Sequence, residues 1–151
     1  MTAQRFLVPV DFSEYAKQAV EYAIDLASKL GARLTLLHVI QPLPLGGVDM
    51  GLTLPYTYIQ DLEAEITSRM QAYLEQVTTA GLEGEIAVVH GVPFQEILET
   101  AKMQQVDLIV MGTHGRTGLQ YVLLGSVAEK VVRLAPCPVL VVRQLTVVPI
   151  S

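Results

Sequence analysis

The sequence has a single cysteine, Cys137, among its 151 residues. One cysteine cannot form a disulfide within the chain, and chains without disulfides are typical of reducing compartments. Long apolar runs are also missing, since none approaches the roughly 18 to 20 residues that span a bilayer. Near the N-terminus, Pro9 and Asp11 interrupt an apolar run before it reaches the length of a signal peptide's apolar region. We therefore expect a cytoplasmic protein that does not cross a membrane.

Basic and aromatic residues are few. The sequence contains ten Lys and Arg and fifteen Asp and Glu, which gives a formal net charge of -5, and the basic residues are scattered along it. Because binding to DNA or RNA depends on clustered basic side chains, we expect no nucleic-acid partner. Only 6% of residues are aromatic and 51% are hydrophobic, which favours a compact interior built from aliphatic side chains. The length suits one domain, and we expect residues 1–151 to form it.

Several familiar nucleotide-binding and catalytic motifs are absent. The sequence has no Gly-x-x-x-x-Gly-Lys-Ser/Thr loop, so no lysine is placed on the β- and γ-phosphates in the P-loop manner. It has no Gly-x-Gly-x-x-Gly after the first predicted strand, which argues against a dinucleotide site. Neither the loops of protein kinases nor a nucleophile elbow occurs.

Short apolar runs alternate with stretches of helical periodicity. This alternation predicts a doubly wound parallel α/β sheet, because right-handed crossovers place helices on both of its faces. The runs predict strands at residues 6–10, 34–39, 85–89, 107–111 and 139–142. Four helices are predicted. The first is capped by Ser13, has its apolar stripe from Ala16 to Leu30 and stops at Gly31, and the second has its stripe from Ile59 to Val77 and stops at Gly81. The third begins at Pro93 and includes Ala101, and the fourth runs from Ser126 to Leu134.

The connection over residues 41–57 is longer than connections in compact domains usually are. It is rich in Pro and Gly and carries one charge, at Asp49. We expect a loop this apolar to cover either a ligand or a partner subunit.

An acidic residue follows the first predicted strand. In open α/β sheets, ligands bind beyond the carboxyl ends of the strands where the winding reverses, and Asp11 lies at such an end. Its carboxylate can accept hydrogen bonds from ribose hydroxyls, as the acidic residue of dinucleotide folds does. It can also cap the first helix or the turn before it. This segment alone leaves both roles open.

Glycines follow the fourth predicted strand at Gly112, Gly115 and Gly118, and Gly125 precedes the last helix at Ser126. Glycine lets a backbone approach an anion closely, and the amides at a helix N-terminus complete a cradle for it. A polyphosphate would fit such a cradle. Glycines after a strand are also common as plain turn residues, so this pattern too has two interpretations.

The three histidines differ in their surroundings. His114 lies between two of these glycines and near Arg116, which suits contact with a phosphate or assistance to a slow hydrolysis. No neighbouring carboxylate in the sequence would activate it. His38 and His90 lie near strand ends without close metal-ligand spacing, and we interpret each as a satisfied or exposed histidine.

Three further residues are interpreted as packing residues. Cys137 lies between two prolines and has no basic neighbour that would make its thiol reactive. Met70 and Tyr73 fall on the apolar stripe of the second helix, so we expect both to belong to the core.

The spacing of the glycines carries a family resemblance. Two residues separate Gly112 from Gly115, nine separate Gly115 from Gly125, and Ser126 follows directly. This spacing resembles the nucleotide-binding signature of the ATP-binding branch of the universal stress protein family. The likeness extends along nearly the whole chain, through Val-Pro-Val-Asp at residues 8–11, Leu-His-Val at 37–39, the run at 107–112 and the run at 137–142.

The resemblance implies a strand order of 3-2-1-4-5, which puts strands one and four side by side at the reversal of winding. It also implies how the nucleoside would be held. Asp11 would lie at the ribose, and backbone groups of Val39 would meet the adenine. The other residues implied to border the adenosine are Pro9, Val10, Met111 and Gly112.

The phosphates would lie at the other end of the implied site. Backbone and hydroxyl groups after strand four and at the start of the last helix would hold them. The residues implied are Gly115, Gly125, Ser126 and Val127. His114 and Arg116, which lie beside these glycines in the sequence, complete the predicted nucleotide-binding set.

From the resemblance we expect a universal stress protein that binds ATP, ADP or AMP, with Mg²⁺ held through the phosphates, and whose affinity for partners changes with nucleotide state. A slow ATPase or autophosphorylating enzyme using the same pocket is the alternative, and turnover separates the two. A nucleotide-free interaction protein is a third reading.

The resemblance also bears on assembly. In its strand order strand five, residues 139–142, lies at the sheet edge, where exposed apolar strands invite pairing. We expect a homodimer there, assisted by the apolar tail at residues 145–150.

Overall fold

The computed structural model describes residues 4–42, 56–114 and 124–144. Most of the 41–57 connection, the sites at Gly115 and Arg116, and the tail at 145–150 lie outside these ranges. Strands and helices alternate as predicted: β1 (Arg5–Pro9), α1 (Glu14–Leu30), β2 (Arg33–Ile40), α2 (Tyr56–Thr79), β3 (Gly84–His90), α3 (Pro93–Met103), β4 (Leu108–Gly112), α4 (Ser126–Leu134) and β5 (Val139–Val142).

The strands form one parallel sheet in the order β3-β2-β1-β4-β5, which confirms the predicted topology. The central strand β1 pairs with β2 on one side and with β4 on the other, so that Leu7 lies opposite both Thr35 and Ile109. From β1 the chain forms β2 and β3 on one side of the sheet, and it then crosses back to form β4 and β5 on the other side. The winding therefore reverses between β1 and β4.

Helices cover both faces of the sheet, and each face has its own core. In β1, Phe6 and Val8 pack with residues of α1 and α2, whereas the intervening Leu7 packs with residues of α3 and α4. All three side chains are at most 1% exposed. Coverage on both faces explains why the strands are continuous apolar runs rather than alternating ones.

Helix α1 lies against the sheet through small side chains. Ala19, Ala23 and Ala27 are fully buried, and Gly31 ends the helix with a left-handed φ of 68°, donating its amide to the Ala27 carbonyl. The prediction was wrong about the outer end of this stripe, because Leu30 is 54% exposed. Ile59, in the first turn of α2, is exposed as well. Leu30 is the last residue of α1 and Ile59 is in the first turn of α2, so both lie at helix ends.

The described residues contain no membrane-spanning helix and no cluster of metal ligands. Among their helices, none combines the length and the apolarity needed to cross a bilayer. Within the same ranges, no three His, Cys, Asp or Glu side chains come together as metal ligands would.

Ser13 caps α1 as predicted, since its Oγ accepts a hydrogen bond from the Ala16 amide at 3.1 Å. We predict that Ser13→Ala lowers the free energy of unfolding by about 1 kcal/mol, the usual effect of losing an N-cap. Ser28→Ala is the matched control. Ser28 donates only to the Ile24 carbonyl on the exposed side of the same helix, so its loss should change stability by less than about 0.5 kcal/mol. Urea denaturation of both variants is the measurement, and equal effects would contradict the capping role.

Candidate functional site

A cavity of about 980 Å³ opens at the carboxyl edge of the sheet, where the winding reverses. The ends of β1, β2 and β4 line it, together with residues of α2 and α4. Its volume is at the upper end of the range of about 300 to 1,000 Å³ typical of small-molecule sites. Ten of the residues predicted from the sequence line it: Pro9, Val10, Asp11, Val39, Met111, Gly112, His114, Gly125, Ser126 and Val127.

Asp11 organises the turn before α1, which is one of the two roles that the sequence left open, and it also lines the cavity. Its Oδ1 accepts hydrogen bonds from the Ser13 amide at 3.0 Å and from the Ser13 hydroxyl at 2.5 Å, so the carboxylate organises the turn before α1. The same residue lies in the wall of the cavity. The turn fixes where the carboxylate stands, and a ligand entering the cavity meets a negative charge at the end of β1.

The start of α4 is tied to the end of β4 by one backbone hydrogen bond. The Gly125 amide donates to the Thr113 carbonyl at 2.7 Å, and the Gly125 carbonyl accepts from the Glu129 amide at 2.9 Å. The amides of Ser126, Val127 and Ala128 begin the helix and have no acceptor within it. All three residues line the cavity. The N-terminus of α4 therefore presents amides and the positive end of a helix dipole to the cavity.

Glycine at position 125 is needed for a close approach and not for an unusual backbone angle. Its φ of -69° and ψ of 166° are available to any residue. An added Cβ would lie only 3.3 Å from both the Thr113 carbonyl oxygen and the His114 Cα. A larger residue would thus require the start of α4 and the end of β4 to separate by a few tenths of an ångström. The hydrogen bond from the Gly125 amide to the Thr113 carbonyl, which fixes the start of α4 beside the cavity, would be strained.

Gly112 allows a second close approach, between the end of β4 and α1. A Cβ there would lie 2.8 Å from the Tyr15 Cβ and 2.9 Å from the Tyr15 carbonyl oxygen. Backbone atoms cannot yield as a flexible side chain can. The glycine predicted beside the ribose is therefore also required for the helix that follows Asp11 to seat on the sheet.

His114 lies in the cavity wall, as the sequence predicted. Its Nδ1 is 3.0 Å from the Thr113 hydroxyl, and its ring centroid is 5.3 Å from that of Tyr15. These contacts orient the imidazole at the rim between β4 and α1.

Phe12 is a feature of the site that sequence reasoning missed. Its φ of 66° is left-handed, which is a genuine outlier for a bulky residue. The ring centroid lies 4.7 Å from that of His38, and the Arg69 guanidinium carbon lies 3.9 Å above the ring. The sequence offers no signal for this cluster, because its members are separated by tens of residues.

The other two histidines match the interpretation given to them. His38 is 7% exposed, and its Nδ1 lies 2.6 Å from the Val10 carbonyl oxygen, so its polar group is satisfied inside the core. His90 is half exposed, with its Nε2 2.6 Å from Glu63 Oε1. Neither arrangement resembles a metal site.

Cys137, Met70 and Tyr73 are packing residues, as predicted. Cys137 is half-buried against the core between the sheet and α3 and α4. Burial, reinforced by the negative charge of Asp107, raises the pKa of the Cys137 thiol, which disfavours the reactive thiolate. Met70 is fully buried, and Tyr73 is half-buried beside the same core, where burial raises the pKa of its phenol.

The charged residues in the described part of the cavity wall give it no strong positive field. Asp11, Glu65 and Glu129 line it, and among the described residues Arg69 is its only lysine or arginine. Recognition of an anion by this part of the wall would therefore depend largely on backbone amides. Helix N-termini supply such recognition without a cluster of basic side chains.

The fold is that of an open α/β protein with a cavity at the reversal of winding. The universal stress protein family profile matches residues 2–143. The chain is 36% identical over 146 residues to the universal stress protein MJ0531 of Methanocaldococcus jannaschii, a match that covers 93% of this chain and 82% of that protein. The chain belongs to the universal stress protein family.

Solved structures of relatives share the fold. The structure of MJ0577, another universal stress protein of M. jannaschii, superposes with a TM-score of 0.83 at 31% identity, covering 97% of this chain and 99% of that one. A universal stress protein in complex with cAMP gives a TM-score of 0.71 at 25% identity over 95% and 98% of the two chains. One from Archaeoglobus fulgidus in complex with dAMP gives 0.65 at 25% identity over 93% and 98%.

Proposed function

We propose that this protein binds an adenine nucleotide, ATP, ADP or AMP, in the cavity at the carboxyl edge of the sheet and serves as a nucleotide-dependent binding module. The observation that carries the proposal is the convergence of Asp11 and the N-terminus of α4 on one cavity. A carboxylate suits ribose hydroxyls, and helix amides suit phosphates. The cAMP and dAMP complexes of related proteins support the same ligand class.

The phosphates are assigned to the start of α4. Ser126 and Val127 offer amides that the helix leaves without an internal partner, and Ser126 adds a hydroxyl. Gly125 acts indirectly, because its own amide is already donated to the Thr113 carbonyl. Gly115 and Arg116, which belong to the same proposed set, lie outside the described residues.

The nucleoside is assigned to the ends of β1 and β2. Asp11 is the proposed ribose acceptor, with Pro9, Val10, Met111 and Gly112 around it. The adenine would meet the backbone of Val39. Apolar side chains of β2 and α2 also line this part of the cavity, namely Leu37, Ile40, Leu62 and Ile66. A flat, weakly polar base suits such surroundings.

A magnesium ion would be held mainly through the phosphates. Within the described residues no cluster of three metal-binding side chains exists. Magnesium commonly keeps several waters and takes only one or two carboxylates beside substrate phosphates. The proposed activity is binding, and a slow ATPase that uses the same pocket is the alternative that turnover would reveal.

The test of the proposal is the response of two ligands to Gly125→Val. The larger side chain should displace the start of α4, so that the phosphates lose two charge-assisted hydrogen bonds, and ATP affinity should fall about a hundredfold. Adenosine, which has no phosphate, should lose less than about threefold.

Asp11→Ala is the matched control, because its proposed partner is the ribose and it should weaken ATP and adenosine alike. Isothermal titration calorimetry of both variants with both ligands gives the comparison, with the fold checked by circular dichroism. Unchanged ATP affinity in folded Gly125→Val would mean that the start of α4 does not hold the phosphates.

We also propose that the protein forms a homodimer through β5. Among the described residues, β5 has a strand neighbour on one side only, and its four residues are half-buried. On α4, which packs beside β5, Val132 and Leu134 are 45% and 55% exposed. An apolar edge of this kind is usually covered by another chain or element.

Sedimentation velocity at micromolar concentration should therefore give twice the mass of one chain. The dimer should persist at high salt, because burial of apolar surface is not screened as surface charge pairs are. A single species at the mass of one chain would contradict the proposed assembly and leave the nucleotide proposal unaffected.

A further inference from the structure

The backbone at Phe12 adopts a conformation that its side chain disfavours. A φ of 66° suits glycine or asparagine, whereas a bulky aromatic residue there strains the chain. Such strain persists only where surrounding contacts over-determine it, and it often accompanies a functional site. Phe12 directly follows Asp11, the carboxylate in the cavity wall.

The Phe12 ring is held by side chains from two other elements. His38 of β2 lies with its ring centroid 4.7 Å away, and Tyr73 of α2 lies in a stacked orientation at 6.4 Å. The guanidinium of Arg69, also on α2, lies 3.9 Å above the ring, a cation–π geometry. The ring thereby connects the turn after β1 to both β2 and α2. We refer to Phe12, His38, Arg69 and Tyr73 as the ring clamp.

The residue before Asp11 is fixed as firmly as the residue after it. The Val10 amide donates to the Leu37 carbonyl at 2.7 Å, and His38 Nδ1 lies 2.6 Å from the Val10 carbonyl oxygen. Asp11 thus lies between Val10, whose backbone is fixed by hydrogen bonds, and Phe12, whose ring is fixed by its neighbours. The left-handed turn at Phe12 also lets the Ser13 amide reach back to Asp11 Oδ1 at 3.0 Å.

We propose that Phe12 is a positioning residue: the ring clamp holds the Asp11 carboxylate in its orientation before the ligand arrives, and so sets the preference of the site for a ribose that carries its 2′- and 3′-hydroxyls. This inference rests on the proposed nucleotide function. A carboxylate fixed in advance forms hydrogen bonds without first losing conformational freedom, which increases affinity for a matching hydroxyl pair. A sugar without these hydroxyls gains nothing from the clamp.

Phe12→Gly is the most informative variant, because glycine adopts the left-handed angle without strain and removes the whole benzyl side chain. The measurement is calorimetric affinity for adenosine and for 2′,3′-dideoxyadenosine. The unmodified protein should prefer adenosine by about tenfold to a hundredfold, the worth of one charge-assisted hydrogen bond. Phe12→Gly should reduce this preference to about threefold or less while leaving dideoxyadenosine affinity unchanged.

Three further variants separate positioning from a general loss of structure. Phe12→Tyr keeps a ring and should restore the preference. Arg69→Met removes the cation above the ring but keeps an apolar stem, and it should lower the preference partway. Combining Phe12→Gly with Asp11→Ala should give no further loss beyond Asp11→Ala alone, because both changes remove the same interaction.

The possible failures are distinguishable. If the unmodified protein binds neither adenosine nor ATP, the proposed function is wrong and the positioning role falls with it. If it binds adenosine and folded Phe12→Gly keeps the full preference, the positioning role alone is wrong. Equal loss of both nucleosides in Phe12→Gly would also overturn it, since a purely structural defect makes no distinction between the two sugars.

Discussion

The pairing of β1 with β4 is the contact on which the site depends. Phe6 lies opposite Leu108 and Leu7 opposite Ile109, so two strands that are far apart in sequence end side by side. The connection after β1 crosses one face of the sheet and the connection after β4 crosses the other. A gap opens between them at the carboxyl edge, because no crossover covers the ends of these two strands together.

Close packing beside this gap determines which residues can line it. Gly112 lets the first turn of α1 seat on the end of β4, and Gly125 lets α4 begin within hydrogen-bond distance of Thr113. The turn after β1 therefore presents the Asp11 carboxylate on one side, and the start of α4 presents helix amides on the other. The left-handed backbone of Phe12 is the strained element, and contacts from β2 and α2 compensate for it.

Much of the fold could be predicted from the sequence, for physical reasons. Strands buried on both faces must be apolar throughout, and helices on a sheet must carry an apolar stripe, so both patterns are local and visible. Ser13 and Gly31 marked the ends of α1, and the predicted bounds of α4 and β5 match the structure. Boundaries elsewhere moved by one to a few residues; α2, for example, begins at Tyr56, before the first predicted apolar position.

The site was predictable only in part. Asp11 and the glycines near α4 follow strand ends, so topology alone brings them to one edge. The sequence left the role of Asp11 open, and the structure shows it capping a turn within the cavity wall. The ring clamp and the hydrogen bond from Gly125 to Thr113 were missed because they depend on tertiary contacts, such as those between residues 12, 38 and 69. No periodicity or motif encodes such contacts.

Mass spectrometry of the small molecules released by heating tests the central claim most directly. The protein would be incubated with equal concentrations of ATP, ADP, AMP and GTP, freed of unbound ligand by gel filtration, and then denatured. The account predicts release of an adenine nucleotide in near-equimolar amount, little GTP, and a clear decrease in bound ATP for Gly125→Val. Release of no nucleotide, or of GTP in equal amount, would contradict an adenine-nucleotide site between Asp11 and the start of α4.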